Sequence, residues 1–159
     1  GAWVGTWTMA MNEFCGRVIA FEPDPVHYEC LVKNCPEDVE THQLAIGNEE
    51  KMISLSEDNF TQAKRVVGDG TIPMVTIDSL DLDDVDLIKI DVEGFEMEVL
   101  KGAENTLKNV DYLMIELNNN SKKYGSSNLE IEKHLRKTGF EIMIKVWPDV
   151  VWRKKGKSK

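Results

Sequence analysis

The sequence predicts an α/β fold built on a mainly parallel sheet, and three observations predict it. Apolar runs of strand length alternate with helix-patterned segments, the order that produces right-handed crossovers and parallel strands. The run Leu87-Ile88-Lys89-Ile90 is nearly all apolar, as a buried parallel strand must be, and leads straight into Asp91-Val92-Glu93-Gly94 and a helical pattern. A glycine-bearing turn, Gly1-Ala2-Trp3-Val4-Gly5, precedes a second apolar run that ends in Glu22. Open α/β sheets bind ligands beyond the carboxyl ends of their strands, so Glu22, Asp91 and Glu93 stand where chemistry is expected.

Residues 17–21 read as the first strand, and Glu22-Pro23-Asp24-Pro25 as the turn leaving it. Asp24 predicts an N-cap with Pro25 at the first helical position, and Val26, Leu31 and Val32 an apolar stripe reaching to Asn34. Strands follow at residues 40–45 and 52–56, with a Gly47-Asn48 turn between them and a variable polar loop over residues 59–70. Residues 73–77 read as extended because proline disfavours helix on both sides. After the strand at residues 87–91, a helix is predicted over residues 95–107, with Phe95, Val99, Leu100, Ala103 and Leu107 on one face. Residues 112–117 form the next strand, and Asn128 caps a helix through Leu129, Ile131 and Leu135 that ends before Gly139. Residues 140–146 and 150–153 are joined by Trp147-Pro148-Asp149, too short a link for a crossover, so this last pair is antiparallel.

The 159 residues predict a single domain over residues 1–153 with a basic tail over residues 154–159. No apolar run approaches the length of a membrane span. The net charge of −9 argues against nucleic acid as a partner, because phosphate contacts need a basic face. Cys15, Cys30 and Cys35 are odd in number and form no metal-binding pair, which points to free thiols in a reducing, cytoplasmic compartment. Asn59-Phe60-Thr61 and Asn119-Asn120-Ser121 match a glycosylation pattern, but nothing else reads as secreted.

Glycines at a strand-to-helix turn admit a ligand close to the backbone, and a helix N-terminus favours a negative group. Glu22 lies at the distance where a carboxylate accepts both hydroxyls of a ribose. Together these two elements favour an adenosine-type cofactor. The absence of Gly-x-Gly-x-x-Gly disfavours a nicotinamide-dependent oxidoreductase.

Val18-Ile19-Ala20-Phe21-Glu22-Pro23-Asp24-Pro25 and the block from Ile88 through Asp91-Val92-Glu93-Gly94-Phe95-Glu96 to Lys101-Gly102-Ala103 resemble the FkbM-type methyltransferases. Leu44-Ala45-Ile46-Gly47 and Val75-Thr76-Ile77-Asp78-Ser79-Leu80 match in the same order. The resemblance implies a Rossmann-like class I methyltransferase fold, S-adenosylmethionine as cofactor and transfer of its methyl group to a hydroxyl of a sugar, glycolipid or secondary metabolite. It implies that Gly1, Ala2 and Gly5 face the methionine part, that Glu22 binds the ribose with Pro23 flanking it, and that Ala45 lies in the loop edging the adenine. Trp3, in the same turn, is counted with the cofactor-binding residues, where its indole would stack on the cofactor or fill its site. The resemblance also implies that Asp91 and Glu93 face the methyl group and the acceptor, with Asp91 also counted among the cofactor-binding residues. Two departures are visible. The family usually has Asn where this chain has Trp3, and its first central strand comes before the glycine turn, where this sequence begins. On that ground the chain reads as an N-terminally truncated piece, and a degenerate homologue without activity is the second expectation.

Methyl transfer to oxygen needs alignment and a proton acceptor. Asp91 or Glu93 meets the second need if burial raises its pKa. A minority reading places Mg²⁺ between Asp91 and Glu116 or Asn118. Lys89 is expected to pair with Glu116 inside the sheet. The acids Asp81, Asp83, Asp84 and Asp86 fail the pattern of a calcium loop and read as solvated. His27, His42 and His134 read as surface residues, and Trp147 and Trp152 as packing around the terminal turn.

Overall fold

The computed structural model describes residues 1–56 and 64–156, in two compact units spanning residues 1–75 and 76–159. Among the described residues, no helix is long and apolar enough to cross a membrane.

In the first unit, helix α1 (Thr6–Asn12) leaves Gly5, whose φ is 94°. Strand β1 (Ile19–Phe21) runs parallel to β2 (Glu40–His42), with α2 (Pro25–Asn34) as the crossover. Asp24 caps α2 as predicted, its Oδ1 accepting the N–H groups of Val26 at 3.1 Å and His27 at 2.9 Å. The predicted stripe is corrected. Leu31 packs with Ala20, Val39, Tyr28 and Cys35, whereas Val26 is 64% and Val32 48% exposed. Tyr28, Leu31 and Cys35 share a face at helical spacing, and the two valines lie off it.

Strand β3 (Ala45–Ile46) pairs in parallel with β5 (Val66–Val75), and β4 (Lys51–Leu55) pairs with β5 in antiparallel fashion. Antiparallel pairing therefore extends beyond the C-terminal hairpin. Residues 66–70, expected in a loop, belong to β5; residues 59–63 of that loop, with Asn59-Phe60-Thr61, lie outside the described residues. The segment reads as a loop because Gly68, Asp69 and Gly70 hide the strand pattern. Gly70 is instead a close approach, since a Cβ there would collide with the Ile53 carbonyl and the Ser54 hydroxyl of β4.

In the second unit, β6 (Leu87–Ile90) runs parallel to β7 (Tyr112–Glu116). β7 pairs antiparallel with β9 (Asp149–Lys154), which pairs antiparallel with β8 (Phe140–Val146). The helix predicted over residues 95–107 is cut short. Helix α3 (Glu96–Lys101) stops at Gly102, and a separate turn spans Thr106–Lys108. Asp78 explains the interruption, because its carboxylate accepts the N–H groups of Asn105 at 2.9 Å and Thr106 at 2.8 Å and so caps a new start. The predicted apolar face is nevertheless buried, from Phe95 to Leu107.

Helix α4 (Asn128–Lys137) is capped by Ser127 rather than Asn128, with the Ser127 hydroxyl accepting the Glu130 N–H at 3.3 Å. Asn128 instead donates to the Leu117 carbonyl at 3.1 Å, tying the helix start to the strand end. Ile131 and Leu135 are fully buried, while Leu129 is 61% exposed and leaves the predicted stripe. Trp152 is fully buried and Trp147 is 58% exposed, so only the former packs as expected. Lys154, the first residue of the predicted tail, ends β9 and donates to the carbonyls of Leu107 and Thr138 at 2.7 and 2.8 Å.

Candidate active site

The first unit holds the cofactor candidates of the opening turn, along with Glu22, Pro23 and Ala45; Glu22 is 6% exposed. Its Oε2 accepts the Trp3 N–H at 2.8 Å and its Oε1 accepts the Asp24 N–H at 3.0 Å. Each carboxylate oxygen keeps acceptor capacity beyond those bonds, which suits two further hydroxyl donors. His27, expected at the surface, has its Nδ1 3.8 Å from Glu22 Oε1 and 3.6 Å from Asp24 Oδ1. Lys64 forms an ion pair with Asp24. Burial opposes ionisation of Asp24, but bonds from Lys64 and the His27 amide outweigh it and hold the carboxyl below its usual range.

The opening turn is fastened to β1. The terminal amino group and the Ala2 N–H both donate to the Phe21 carbonyl, at 3.2 and 3.0 Å. Gly5 is a packing requirement, because a Cβ there would lie 2.9 Å from Cys35 Sγ and 3.1 Å from Leu31 Cδ1. Pro23 lies between Glu22 and the Asp24 cap, half-buried. Ala45, at the end of the strand predicted over residues 40–45, is a buried residue of β3, paired with Met74. Its neighbour Gly47 is also closely packed, since a Cβ there would collide with the Met74 sulfur.

Trp3 adopts φ 50°, the left-handed region. A bulky residue is unusual there, whereas Asn is several-fold enriched. Trp3→Asn should therefore be more stable than Trp3→Ala by about 0.5–1 kcal/mol, since both remove the indole and only Asn suits the backbone. Paired urea titrations of the two variants measure the difference, and equal midpoints would remove the strain from position 3.

The second unit places three carboxylates at the ends of β6 and β7. One oxygen from each of Asp91, Glu93 and Glu116 lies within 4.8 Å of the others, all three half-buried. Glu116 is the expected partner of Lys89, but the ion pair seen at Lys89 is with Asp91. Lys89 turns along its own strand to Asp91 Oδ2, at 2.8 Å. Glu116 instead accepts from Asn118 Nδ2 at 2.7 Å. Burial and the negative charges of Asp91 and Glu93 push the Glu116 carboxyl from 4.5 up to about 7, and in its protonated form it donates to Asp91.

Glu93 is held from another side. Its Oε2 accepts from Asn120 Nδ2 at 2.9 Å and Asn118 Nδ2 at 3.2 Å. Asn118 thus bridges two carboxylates, and its own Oδ1 accepts the Asn120 N–H at 3.0 Å. The geometry depends on a tight turn, with Glu93 at φ 54° and Gly94 at φ 109°. Phe95 then packs edge-on against Tyr124, ring centroids 5.0 Å apart.

Sequence reasoning missed the roles of Asn118 and Asn120 as amide clamps and of Glu116 as a proton-holding acid. The available signal was the Asn118-Asn119-Asn120 run directly after an apolar strand. It also missed Glu96, whose carboxylate is 1% exposed and accepts the Gly94 N–H at 2.8 Å. The acids at positions 81, 83, 84 and 86 are exposed, in keeping with a solvated loop. His134 is half-buried, and burial lowers its pKa.

The family description "Methyltransferase FkbM domain" matches residues 1–142. A hexuronic acid methyltransferase, AglP, of Haloferax volcanii is 30% identical over 112 residues, covering 64% of this chain and 47% of that protein. Methyltransferase 1 of Beauveria bassiana is 24% identical over 181 residues, covering 91% of this chain and 71% of its own length. The crystal structure of a Methyltransferase FkbM from Methylobacillus flagellatus superimposes with a TM-score of 0.67 at 19% identity, over 96% of this chain and 41% of that one. The chain thus spans about half of the archaeal enzyme and less than half of the solved one. Its α/β architecture of mixed sheets matches that of the solved enzyme, and with the family match over residues 1–142 it follows that the chain belongs to the FkbM methyltransferase family.

Proposed function

We propose that this chain carries the core of an S-adenosylmethionine-dependent O-methyltransferase whose acceptor is a hydroxyl of a sugar-class small molecule or glycan. The observation that carries the reading is the Asp91, Glu93 and Glu116 cluster at the carboxyl ends of adjacent strands. The hexuronic acid methyltransferase relative supports a sugar-class acceptor.

Glu22 would take the ribose hydroxyls on the acceptor capacity left by the Trp3 and Asp24 amides. The turn from Gly1 to Gly5 would line the methionine part, with Trp3 standing where the family usually has Asn. When bound, S-adenosylmethionine supplies a methyl group already activated by its sulfonium. The residues of the second unit have two tasks, to orient the acceptor hydroxyl and to take its proton. Glu93, fixed by two amides, presents a carboxyl oxygen that can orient the hydroxyl. Glu116, with its carboxyl near pH 7, is matched to proton removal at neutral pH. Ionised Glu116 would take the proton of the acceptor hydroxyl, and Asp91 would accept a hydrogen bond from the protonated Glu116.

A second reading has one observation in its favour: three carboxylate oxygens at this spacing also suit a divalent cation. The Lys89 ammonium on Asp91 and the Asn118 amide on both glutamates oppose it, because these donors compete with an ion for the three carboxylates.

Calorimetric titration with S-adenosylmethionine, S-adenosylhomocysteine and NADH tests the cofactor, followed by transfer of a labelled methyl group to neutral and uronic sugars with and without EDTA. Binding of both sulfur ligands and EDTA-resistant labelling of a sugar hydroxyl are expected. Binding of NADH instead would overturn the reading, and loss of transfer in EDTA would favour the cation.

A further inference from the structure

We propose that Glu96 is a positioning residue for the Asp91–Gly94 turn, holding Glu93 in the geometry that the methyl-transfer reading requires. The proposal rests on that reading for its chemistry and on the following observations for its geometry. Glu96 is 1% exposed, so its carboxylate is as buried as the apolar core around it. A carboxyl group in that position is costly unless it is hydrogen-bonded. Its Oε1 accepts the Gly94 N–H at 2.8 Å, and the backbone amides of Glu96 itself and of Val92 also favour its ionised form against the burial that raises its pKa.

Those amides belong to the turn that needs holding. Glu93 at φ 54° is in the left-handed region, which costs a residue with a Cβ about 1–2 kcal/mol. Gly94 follows at φ 109°. This pair of dihedrals points the Glu93 side chain at Asn118 and Asn120, which the chain reaches only after β7. Helix α3 has no side-chain cap at Phe95, so Glu96 reaching back also fills the role of the missing cap. A cap alone would stabilise α3. A positioning residue also sets where Glu93 stands, and a displacement of about 1 Å near reacting atoms costs on the order of 10²-fold in rate.

The experiment compares wild type with Glu96→Ala, Glu96→Gln and Ser127→Ala, the last a remote cap in the same unit that controls for lost stability. The readouts are kcat, KM for S-adenosylmethionine, and hydrogen exchange at the Gly94 amide. We expect Glu96→Ala to lower kcat by about 10²-fold with KM little changed and the Gly94 amide exposed. Glu96→Gln, which keeps an acceptor for that amide, recovers most of the rate, and Ser127→Ala loses stability without losing kcat. Full kcat in a folded Glu96→Ala, or a rate loss in Ser127→Ala equal to it, would overturn the proposal. Should Glu96→Ala fail to fold, Glu96→Gln decides: a recovered rate with a protected Gly94 amide supports the role, and a folded protein slowed about 10²-fold overturns it. If wild type transfers no methyl group, loss of Gly94 protection in Glu96→Ala still supports the holding role and counts against the methyl-transfer reading alone.

Discussion

Replacing Gly94 by alanine is expected to destabilise the protein by about 2–5 kcal/mol and to abolish methyl transfer. Two separable effects add at this position. The φ of 109° is a conformation that residues with a Cβ rarely adopt. The added methyl would also stand 2.6 Å from the Asn120 carbonyl carbon and 2.7 Å from its oxygen, a backbone neighbour that cannot swing aside. Gly125 separates the two effects, since it has φ 76° and nothing within 4 Å of the would-be Cβ. Gly125→Ala should therefore cost only the backbone part, about 1–2 kcal/mol. Urea unfolding of both variants gives the comparison. Equal losses would show that the approach of Asn120 to the turn carries no weight.

That contact also explains which parts of the site were legible in the sequence. Asp91 and Glu93 announced themselves because a run of apolar residues ended in acids, and strand ends are where open sheets bind ligands. Asp24 and Pro25 declared their helix start by residue type alone, and the structure agrees. Partnerships across the sheet were harder. Lys89 and Glu116 looked like natural partners at similar depth, but no rule of spacing says that Lys89 will bend to Asp91 on its own strand.

Where local chemistry conflicted with pattern, the pattern misled. The helical periodicity of residues 95–107 is real in its burial, yet the helix breaks because Asp78, far away in sequence, supplies a competing cap. Gly68 and Gly70 made a strand resemble a loop, although Gly70 is there to let β4 approach. The amide clamps were invisible for a related reason. Asn118 and Asn120 are ordinary turn residues until the register of β6 against β7 brings them to Glu93. Such information resides in the pairing of strands, which a single sequence specifies only through packing.

Glu116→Gln is expected to slow methyl transfer by about 10²–10⁴-fold while stabilising the folded protein above neutral pH. The sign follows from the raised carboxyl. Glu116 titrates at about 7 in the folded chain against 4.5 for an ordinary glutamate, so folding favours its protonated form. The contribution of that proton to stability is complete below pH 4.5, declines between 4.5 and about 7, and is gone above. The full shift corresponds to about 3 kcal/mol, and solvent at the strand end reduces the expected decline to roughly 1–2 kcal/mol. Other acids titrate over the same range, so the informative quantity is the difference between wild type and variant at each pH. The Glu116→Gln variant keeps a neutral group of the same shape beside Asp91 and Glu93 and should lack the decline. The same titration predicts an acid limb near pH 7 in the rate of the wild type, because only ionised Glu116 can take the hydroxyl proton. A variant that kept both the limb and the rate would move the proton acceptor to Asp91 or Glu93. A variant that lost the rate but kept the stability profile of wild type would leave Glu116 catalytic and place the shared proton elsewhere in the cluster.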